Sequence, residues 1–339
     1  MKYAVLGAGP IGGSIAAALC QNGQEVWLVD PNKAITETIQ KDGLKLDVAL
    51  VQFAPADLHF EVHPHAVCTP EEISGTVDVV FIAIKGIYTR GAMEGLKSIA
   101  DKHTIFISAQ NGIGNEDIMA DAFGADRVAY TTVQLGGRSV APGHLSCNIT
   151  TVTVEKMNGH LPMTPMVDGN QFVIDALKRV ESEGTNDWFD MRYLEKPALD
   201  KMRWGKLILN AVVNSIGAVT EGCMDSQQSL QSGVDYGEKI MAEGLAVAKA
   251  YGVDLSRSDI HLPDKVCPKV TDGYRHYTSM CMDVVNHRLT ENEFICGPII
   301  RGGKKFGIDT PYNQAIYWLI DVIEHTYEDR YTVYSKKMA

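Results

Sequence analysis

Short apolar runs alternate with small-residue or amphipathic stretches through the first half of the chain, which predicts a β/α order. Tyr3–Leu6 reads as a buried strand, Pro10–Gln21 as a helix pressed against a sheet, and Glu25–Val29 as a second strand ending at Asp30. Asn32–Lys41 follows as a helix stopped at Gly43. Between 44 and 67 the apolar residues recur at every second position (Leu44, Leu46, Val48, then Leu58, Phe60, Val62), which predicts an antiparallel hairpin inserted in the series. The rhythm then resumes with strands at Asp78–Ile84, Thr104–Ser108 and Arg127–Thr132, and helices at 88–100, Asn115–Phe123 and Asn170–Glu181. Residues 145–155 carry β-branched alternation, and a short strand is expected near Trp188.

Beyond about residue 194 strand signals stop. Apolar residues at helical spacing run from Met202 to Val219 and recur over 232–251, 274–287, 290–306 and 311–326. Alternating β/α followed by helices alone predicts an α/β fold: an N-terminal α/β domain over 1–194, which the glycine loop and the family resemblance described below make a Rossmann-type dinucleotide-binding domain, and an all-helical C-terminal domain over 195–339. A length of 339 residues agrees with two cores.

Composition narrows the setting. A net charge of -11 argues against a nucleic-acid partner, which needs a basic surface, but is compatible with one nucleotide held by backbone amides. The 7 cysteines form no C-x-x-C pair, which predicts reduced thiols in the cytoplasm, with neither a disulfide framework nor a metal site. The apolar run after Lys2 is broken by Gly7, Gly9, Pro10, Gly12 and Gly13, so it reads as a turn and not as a secretion signal, and no stretch is long enough to predict a membrane span.

The first candidate chemistry is Gly7-Ala8-Gly9-Pro10-Ile11-Gly12 between the first strand and the first helix. One glycine permits the tight turn, the second lets backbone approach a pyrophosphate, and the third lets helix pack on strand; the pyrophosphate then meets the N–H groups and positive dipole of the helix start. Asp30, at the end of the second strand, can accept from both ribose hydroxyls and would repel a 2′-phosphate, so it favours NAD(H); Lys33 nearby softens that repulsion, and helix capping is the competing role for Asp30. Lys85 and Asn111 follow later strands and so fall on the side of a parallel sheet where ligands lie; a solvated lysine and an ordinary Asn-Gly turn are the plainer alternatives.

In the helical half, Lys206, Asn210 and Asn214 fall four residues apart and share one face of an otherwise apolar helix. A lysine there could protonate a carbonyl oxygen as hydride reaches its carbon, which makes Lys206 a candidate general acid. Helix–helix hydrogen bonding is the alternative. Ser279 and Glu291 complete the polar set, while Thr290 with Glu293 reads as a capping box.

These features together resemble the ketopantoate reductase (2-dehydropantoate 2-reductase) family. The resemblance rests on the glycine loop, Lys85, Gln110-Asn111-Gly112, the Lys206-x3-Asn210-x3-Asn214 helix, Ser279-Met280, and Thr290-Glu291-x-Glu293-Phe294-Ile295-x-Gly297 continuing to Gly307-Ile308-x-Thr310-Pro311-x-Asn313. It covers most of the chain in family order. It implies a small-molecule 2-keto acid reduced to the 2-hydroxy acid in a cleft between the domains, with Lys206 as general acid. It also implies substrate contacts from Asn210 and Asn214, Ser279 on the carboxylate, and Glu291 on a hydroxyl or on Lys206. Lys85 and Asn111 would then stand at the cofactor.

The chain departs from the family pattern at several points. The family default is NADP(H), with a basic residue near the end of the second strand, where this chain has Val29-Asp30. His276, grouped here with the substrate-binding set, and Cys296 stand where asparagines are usual, and Ser215 stands where proline is usual. A second reading therefore keeps the fold but makes the enzyme an NAD-dependent dehydrogenase of another branched or aromatic 2-hydroxy acid. A third, of another class, is a dinucleotide-binding sensor without catalysis; the polar stripe and Glu291 argue against it. The apolar periodicity of the helical half permits a homodimer without requiring one.

Overall fold

The computed structural model describes residues 1–49, 56–149, 160–224, 230–260 and 277–329. The chain divides into two compact units, Met1–Asp200 and Lys201–Ala339.

The described residues of the first unit form twelve strands: β1 (Lys2–Leu6), β2 (Glu25–Val29), β3 (Leu44–Ala49), β4 (Leu58–Val62), β5 (His65–Val67), β6 (Val79–Ile82), β7 (Ile105–Ser108), β8 (Val128–Thr131), β9 (Leu135–Ala141), β10 (His144–Ile149), β11 (Leu161–Pro165) and β12 (Met191–Tyr193). Eight of them form one sheet in the order β12-β11-β8-β7-β6-β1-β2-β5, parallel except for the β11–β8 pair. Its central strands are buried on both faces, as parallel strands between helices must be. Tyr3, Val5, Val79 and Phe81 enter one core, and Ala4, Leu6, Val80 and Ile82 the other. Among the described residues five helices accompany the strands: α1 (Pro10–Gln21), α2 (Lys33–Asp42), α3 (Thr89–Leu96), α4 (Asn115–Phe123) and α5 (Gln171–Gly184).

The hairpin expected over 44–67 is present as the antiparallel pair β3–β4. Two parts of that expectation change. Residues 65–67 leave the hairpin and join the large sheet as β5, parallel to β2. The hairpin is also half of a second sheet, β4-β3-β10-β9, because β3 pairs with β10, about a hundred residues further on. The β-branched run expected over 145–155 is strand to Ile149, and 150–155 lie outside the described residues. The strand expected near Trp188 falls at Met191–Tyr193.

Strand β11 escaped the sequence pattern because Pro162 and Pro165 argue against a strand. The register removes the conflict: β11 pairs with β12 over Leu161–Met163 and with β8 over Met163–Pro165, so each proline lies where the strand has one partner.

Helix α1 packs against β3, β4, β9 and β10 of the second sheet as well as β1 and β2 of the first. That explains its run of small residues, since Gly12, Gly13, Ser14, Ala16, Ala17 and Ala18 are all buried. A Cβ on Gly13 would come within 2.1 Å of Leu145 Cδ1, and one on Gly12 within 2.0 Å of the Gly7 carbonyl oxygen.

The second unit is helical among its described residues. Helix α6 (Lys196–Thr220) leads into it, followed by α7 (Gln231–Ala250), α8 (Ser279–Val285), α9 (Asn292–Phe306) and α10 (Pro311–His325). No helix among the described residues is long and apolar enough to cross a membrane. The family-pattern segment Thr310-Pro311-x-Asn313 serves packing here. The buried Glu243 carboxylate of α7 accepts from the backbone N–H groups of Tyr312 and Asn313, both at 2.9 Å, and from Asn313 Nδ2 at 2.7 Å. It thereby caps the start of α10 from a neighbouring helix, where the helix dipole favours an anion.

The glycine geometry separates structural from ligand-facing positions. Gly12→Ala must displace backbone, with an expected cost of about 3 kcal/mol and a melting temperature lower by roughly 6–12 °C. Gly9→Ala meets no protein atom within 4 Å and should melt within a degree or two of the parent protein by calorimetry.

Candidate active site

The dinucleotide half of the site is assembled where β1 turns into α1. Gly7 has a φ of +96° and donates its N–H to Val29 O at 2.8 Å, and a Cβ there would stand 2.8 Å from Ala83 O. The loop is therefore stitched to β2 and β6 on either side. Gly9 is the N-cap of α1 and faces open space, while Pro10 opens the helix at a position whose N–H would have no partner anyway. A hollow a Cβ would fill, over a helix start, fits a pyrophosphate held by backbone N–H groups.

Asp30 is half-buried beside this loop. One carboxylate oxygen accepts from the Ala8 N–H at 3.0 Å and the other from the Asn32 N–H at 3.0 Å. Asn32 caps α2 by accepting from the Ala34 N–H. The cap role weighed for Asp30 thus belongs to Asn32, and Asp30 links the glycine loop to the turn that follows β2.

Lys85 is half-buried at the carboxyl end of β6, where its carbonyl accepts from the Tyr88 N–H and starts a single 3-10 turn. The helix expected over 88–100 is shorter, Thr89–Leu96. Gln110, buried, carries a role the sequence did not single out. Its Nε2 donates to Ile84 O at 2.9 Å and to Thr89 Oγ1 at 2.6 Å, and its Oε1 accepts from Ser108 Oγ at 3.1 Å. Thr89 Oγ1 donates to Asn115 Oδ1, and Asn115 Nδ2 donates to Asn111 O at 3.1 Å. One buried network therefore fixes the segment carrying Lys85 and the one carrying Asn111. The advance signal was a glutamine two residues after a buried strand, in the Gln110-Asn111-Gly112 turn.

The helical unit places the second residue set. Lys206 and Asn210 are half-buried on α6 and Asn214 is buried. Burial pushes the Lys206 ammonium down to about 8, opposed by the charge of Glu291. Glu291 is itself buried and is the N-cap residue of α9, so the start of that helix holds the carboxylate near Lys206. The capping box expected of Thr290 and Glu293 is not formed. Thr290 Oγ1 accepts from the Asn292 N–H at 3.1 Å, and Glu293 pairs with Arg301 and with the Tyr317 hydroxyl. Ser279 is exposed as the first residue of α8, whose cap is Thr278. His276 and the rest of 274–276, expected to begin that helix, lie outside the described residues.

Two of the departures from the family pattern meet. Ser215 and Cys296 are fully buried and close enough to influence each other, so the serine after Asn214 and the cysteine before Gly297 lie together between α6 and α9, with the Ser215 hydroxyl donating to Ala211 O of its own helix. Burial pushes the Cys296 thiol up to about 12, which makes it an inert core group. A further residue missed by sequence is Arg203, 7 % exposed and one turn before Lys206 on α6.

Fold and residue sets together define an oxidoreductase with a Rossmann-type domain and a helical C-terminal domain. The family described as ketopantoate reductase PanE/ApbA matches residues 3–158, and its C-terminal domain matches 198–324. The chain belongs to the ketopantoate reductase family. It is similar to the 2-dehydropantoate 2-reductase of Aquifex aeolicus, 24% identical over 332 residues that span 96% of this chain and 97% of that one. Among solved structures, a D-mandelate dehydrogenase in ternary complex with NADH and anilino(oxo)acetate superimposes with a TM-score of 0.79 at 22% identity, covering 96% of this chain and 99% of that one. A dimeric ketopantoate reductase from Staphylococcus aureus does so at 0.68 and 20%, covering 96% and 99%.

The opposed influences on Lys206 have a measurable consequence. Its ammonium should titrate near 8, and Glu291→Gln, which removes the charge opposing burial, should move the midpoint lower. The pH dependence of acylation of Lys206, followed by peptide mass spectrometry, reads this directly. A parent midpoint near the usual lysine value, or an upward shift in the variant, contradicts the assignment.

Proposed function

We propose that the protein is a 2-dehydropantoate 2-reductase-type enzyme that interconverts a 2-keto acid and its 2-hydroxy acid, with NAD(H) as the preferred cofactor. The observation that carries the reading is the half-buried Lys206, held near Glu291 and in line with Asn210 and Asn214. In this reading residues 1–194 hold the cofactor and 195–339 supply the substrate groups.

A bound nicotinamide supplies or receives the hydride at C2 of the substrate. The chain's residues manage the proton and the orientation. Lys206 donates from Nζ to the carbonyl oxygen in the reductive direction, and its depressed pKa makes that proton easier to give than an ordinary lysine's. Asn210 and Asn214 orient the substrate oxygens, Ser279 meets the carboxylate, and Glu291 keeps the lysine charged. Gly7–Gly12 receives the pyrophosphate, with Lys85 and Asn111 beside the cofactor. Asp30 has lone pairs left after its two backbone contacts, and these suit ribose hydroxyls better than a 2′-phosphate.

A second reading makes the substrate a bulkier branched or aromatic 2-hydroxy acid oxidised with NAD. It is favoured by Val29-Asp30, by the Ser215–Cys296 contact beside Asn214, and by the likeness of fold to a D-mandelate dehydrogenase. Assaying ketopantoate and a panel of larger 2-keto acids with both reduced cofactors separates the two by kcat/KM.

Three outcomes are expected. NADH should exceed NADPH in kcat/KM, and Asp30→Asn should narrow the gap; a preference for NADPH refutes the role given to Asp30. Lys206→Ala should lower kcat by about 10²–10⁴, and a variant of near-normal rate removes Lys206 from the chemistry. The reductive kcat should fall as pH rises through about 8, because the acid must be protonated to act.

A further inference from the structure

Helix α10 is apolar on two separate sides. Asn313, Ile316 and Ile320 turn inward and are buried, and the helix packs against α7 and α9. At about 100° per residue, Pro311, Tyr312, Ala315, Trp318, Leu319 and Val322 fall within an arc of roughly 120° on the outward side. All six are exposed, Trp318 by 61 %, Val322 by 58 %, Leu319 by 52 % and Tyr312 by 39 %. The polar residues Gln314, Asp321, Glu324 and His325 are confined to the remaining sector. A helix that meets water on its outer side carries polar residues there, whereas one that is apolar on both sides is covered on both.

We propose that this face is covered by the same face of a second copy of the chain, in a two-fold homodimer whose α10 helices run antiparallel. Pro311, Ala315, Trp318 and Val322 recur at steps of four, three and four, the spacing of a seam between two packed helices. The midpoint of the seam lies between Ala315 and Trp318, so a two-fold axis there matches the stripe with itself. Small residues then meet large ones: Ala315 faces the partner's Trp318, and Pro311 faces the partner's Val322. On one flank Tyr312 meets the partner's Leu319. On the other, Gln314 meets the partner's Asp321, an amide donor against a carboxylate. Asp321 is the only charged residue between 311 and 322, so no like charges oppose each other along the seam. Area agrees as well. The stripe exposes on the order of 500 Å², near the upper end for the largest apolar patch of a monomer. A standard interface buries about 800 Å² per partner, a little over half of it non-polar. The stripe supplies that apolar share, and the flanking polar residues supply the rim. Two chains of net charge -11 repel one another, so the association rests on the apolar seam, and added salt strengthens it.

Sedimentation equilibrium of the full chain over a range of concentrations, in low and in moderate salt, tests this. The parent should be a dimer at micromolar concentration, with a dissociation constant that falls as salt is raised. Trp318→Asp should raise that constant at least about 100-fold, since a central tryptophan is lost from both copies at once. Val322→Asp should act in the same direction. Both should keep the parent's circular dichroism, because each side chain is exposed in the single chain. Gln314 reads the antiparallel register. Gln314→Lys should tighten the dimer about 3- to 10-fold by gaining two symmetric pairs with the partner's Asp321, and Gln314→Asp should loosen it by a similar factor. Val140→Asp, at an exposed apolar position of the first unit, should leave the constant within about twofold. Should Trp318→Asp fail to fold, the two Gln314 variants, at a half-exposed site, carry the comparison. A parent that stays monomeric at the highest concentration, or a dimer indifferent to Trp318→Asp and Val322→Asp, overturns the proposal. A dimer broken by those changes but not tightened by Gln314→Lys overturns the antiparallel arrangement.

Discussion

In the glycine loop the tightest position is Gly12, where a side-chain carbon would run into the Gly7 carbonyl oxygen. It keeps the strand-to-helix turn tight, so α1 starts directly over the ends of β1 and β2. The same helix is held from its outer side by the second sheet, through Leu145 against Gly13 and Cys147 against Ser14. The direction of the α1 dipole is thus set by two sheets acting from opposite sides. Asp30, through its contact with the Ala8 N–H, fixes the loop to the end of β2. Nothing in this arrangement depends on a charged side chain contacting the phosphates, which suits a chain of net charge -11.

In the helical unit the governing balance is electrostatic. Burial lowers the pKa of Lys206 and the charge of Glu291 raises it, and the two together leave it at about 8. The placement of Glu291 as a helix cap is how the fold supplies the opposing charge without spending a surface side chain. The Ser215–Cys296 contact shows how two unusual residues can be a single change in packing.

Much of this was legible in the amino-acid order. Fully buried strands such as Val79–Ile82, capped helices such as Asn115–Phe123, and the glycine loop announce themselves because local pattern and final environment coincide. The reading failed where tertiary pairing decides. Strand β9 (Leu135–Ala141), with two glycines and mostly exposed residues, exists because β10 hydrogen-bonds to it, and β5 is three residues on a sheet edge. Spacing singled out Lys206, Asn210 and Asn214 as one face of a helix. It gave no sign that Gln110 and Arg203 are buried, since a polar side chain near an apolar strand or inside a helix looks the same in sequence whether it is buried or solvated. The Thr290–Glu293 pair misled for the converse reason: its spacing was right, but Arg301 and Tyr317 are better partners for Glu293 than a backbone N–H.

The Glu243 clamp also has a temporal meaning. The first turn of α10 is completed by a carboxylate seventy residues earlier in the chain, so that helix gains its N-terminal cap only once α7 is folded and adjacent. The two helices are then joined in one cooperative step, with the loop-closure entropy of the intervening chain met at that moment. The start of α10 is therefore only as firm as its hold on α7 through Glu243.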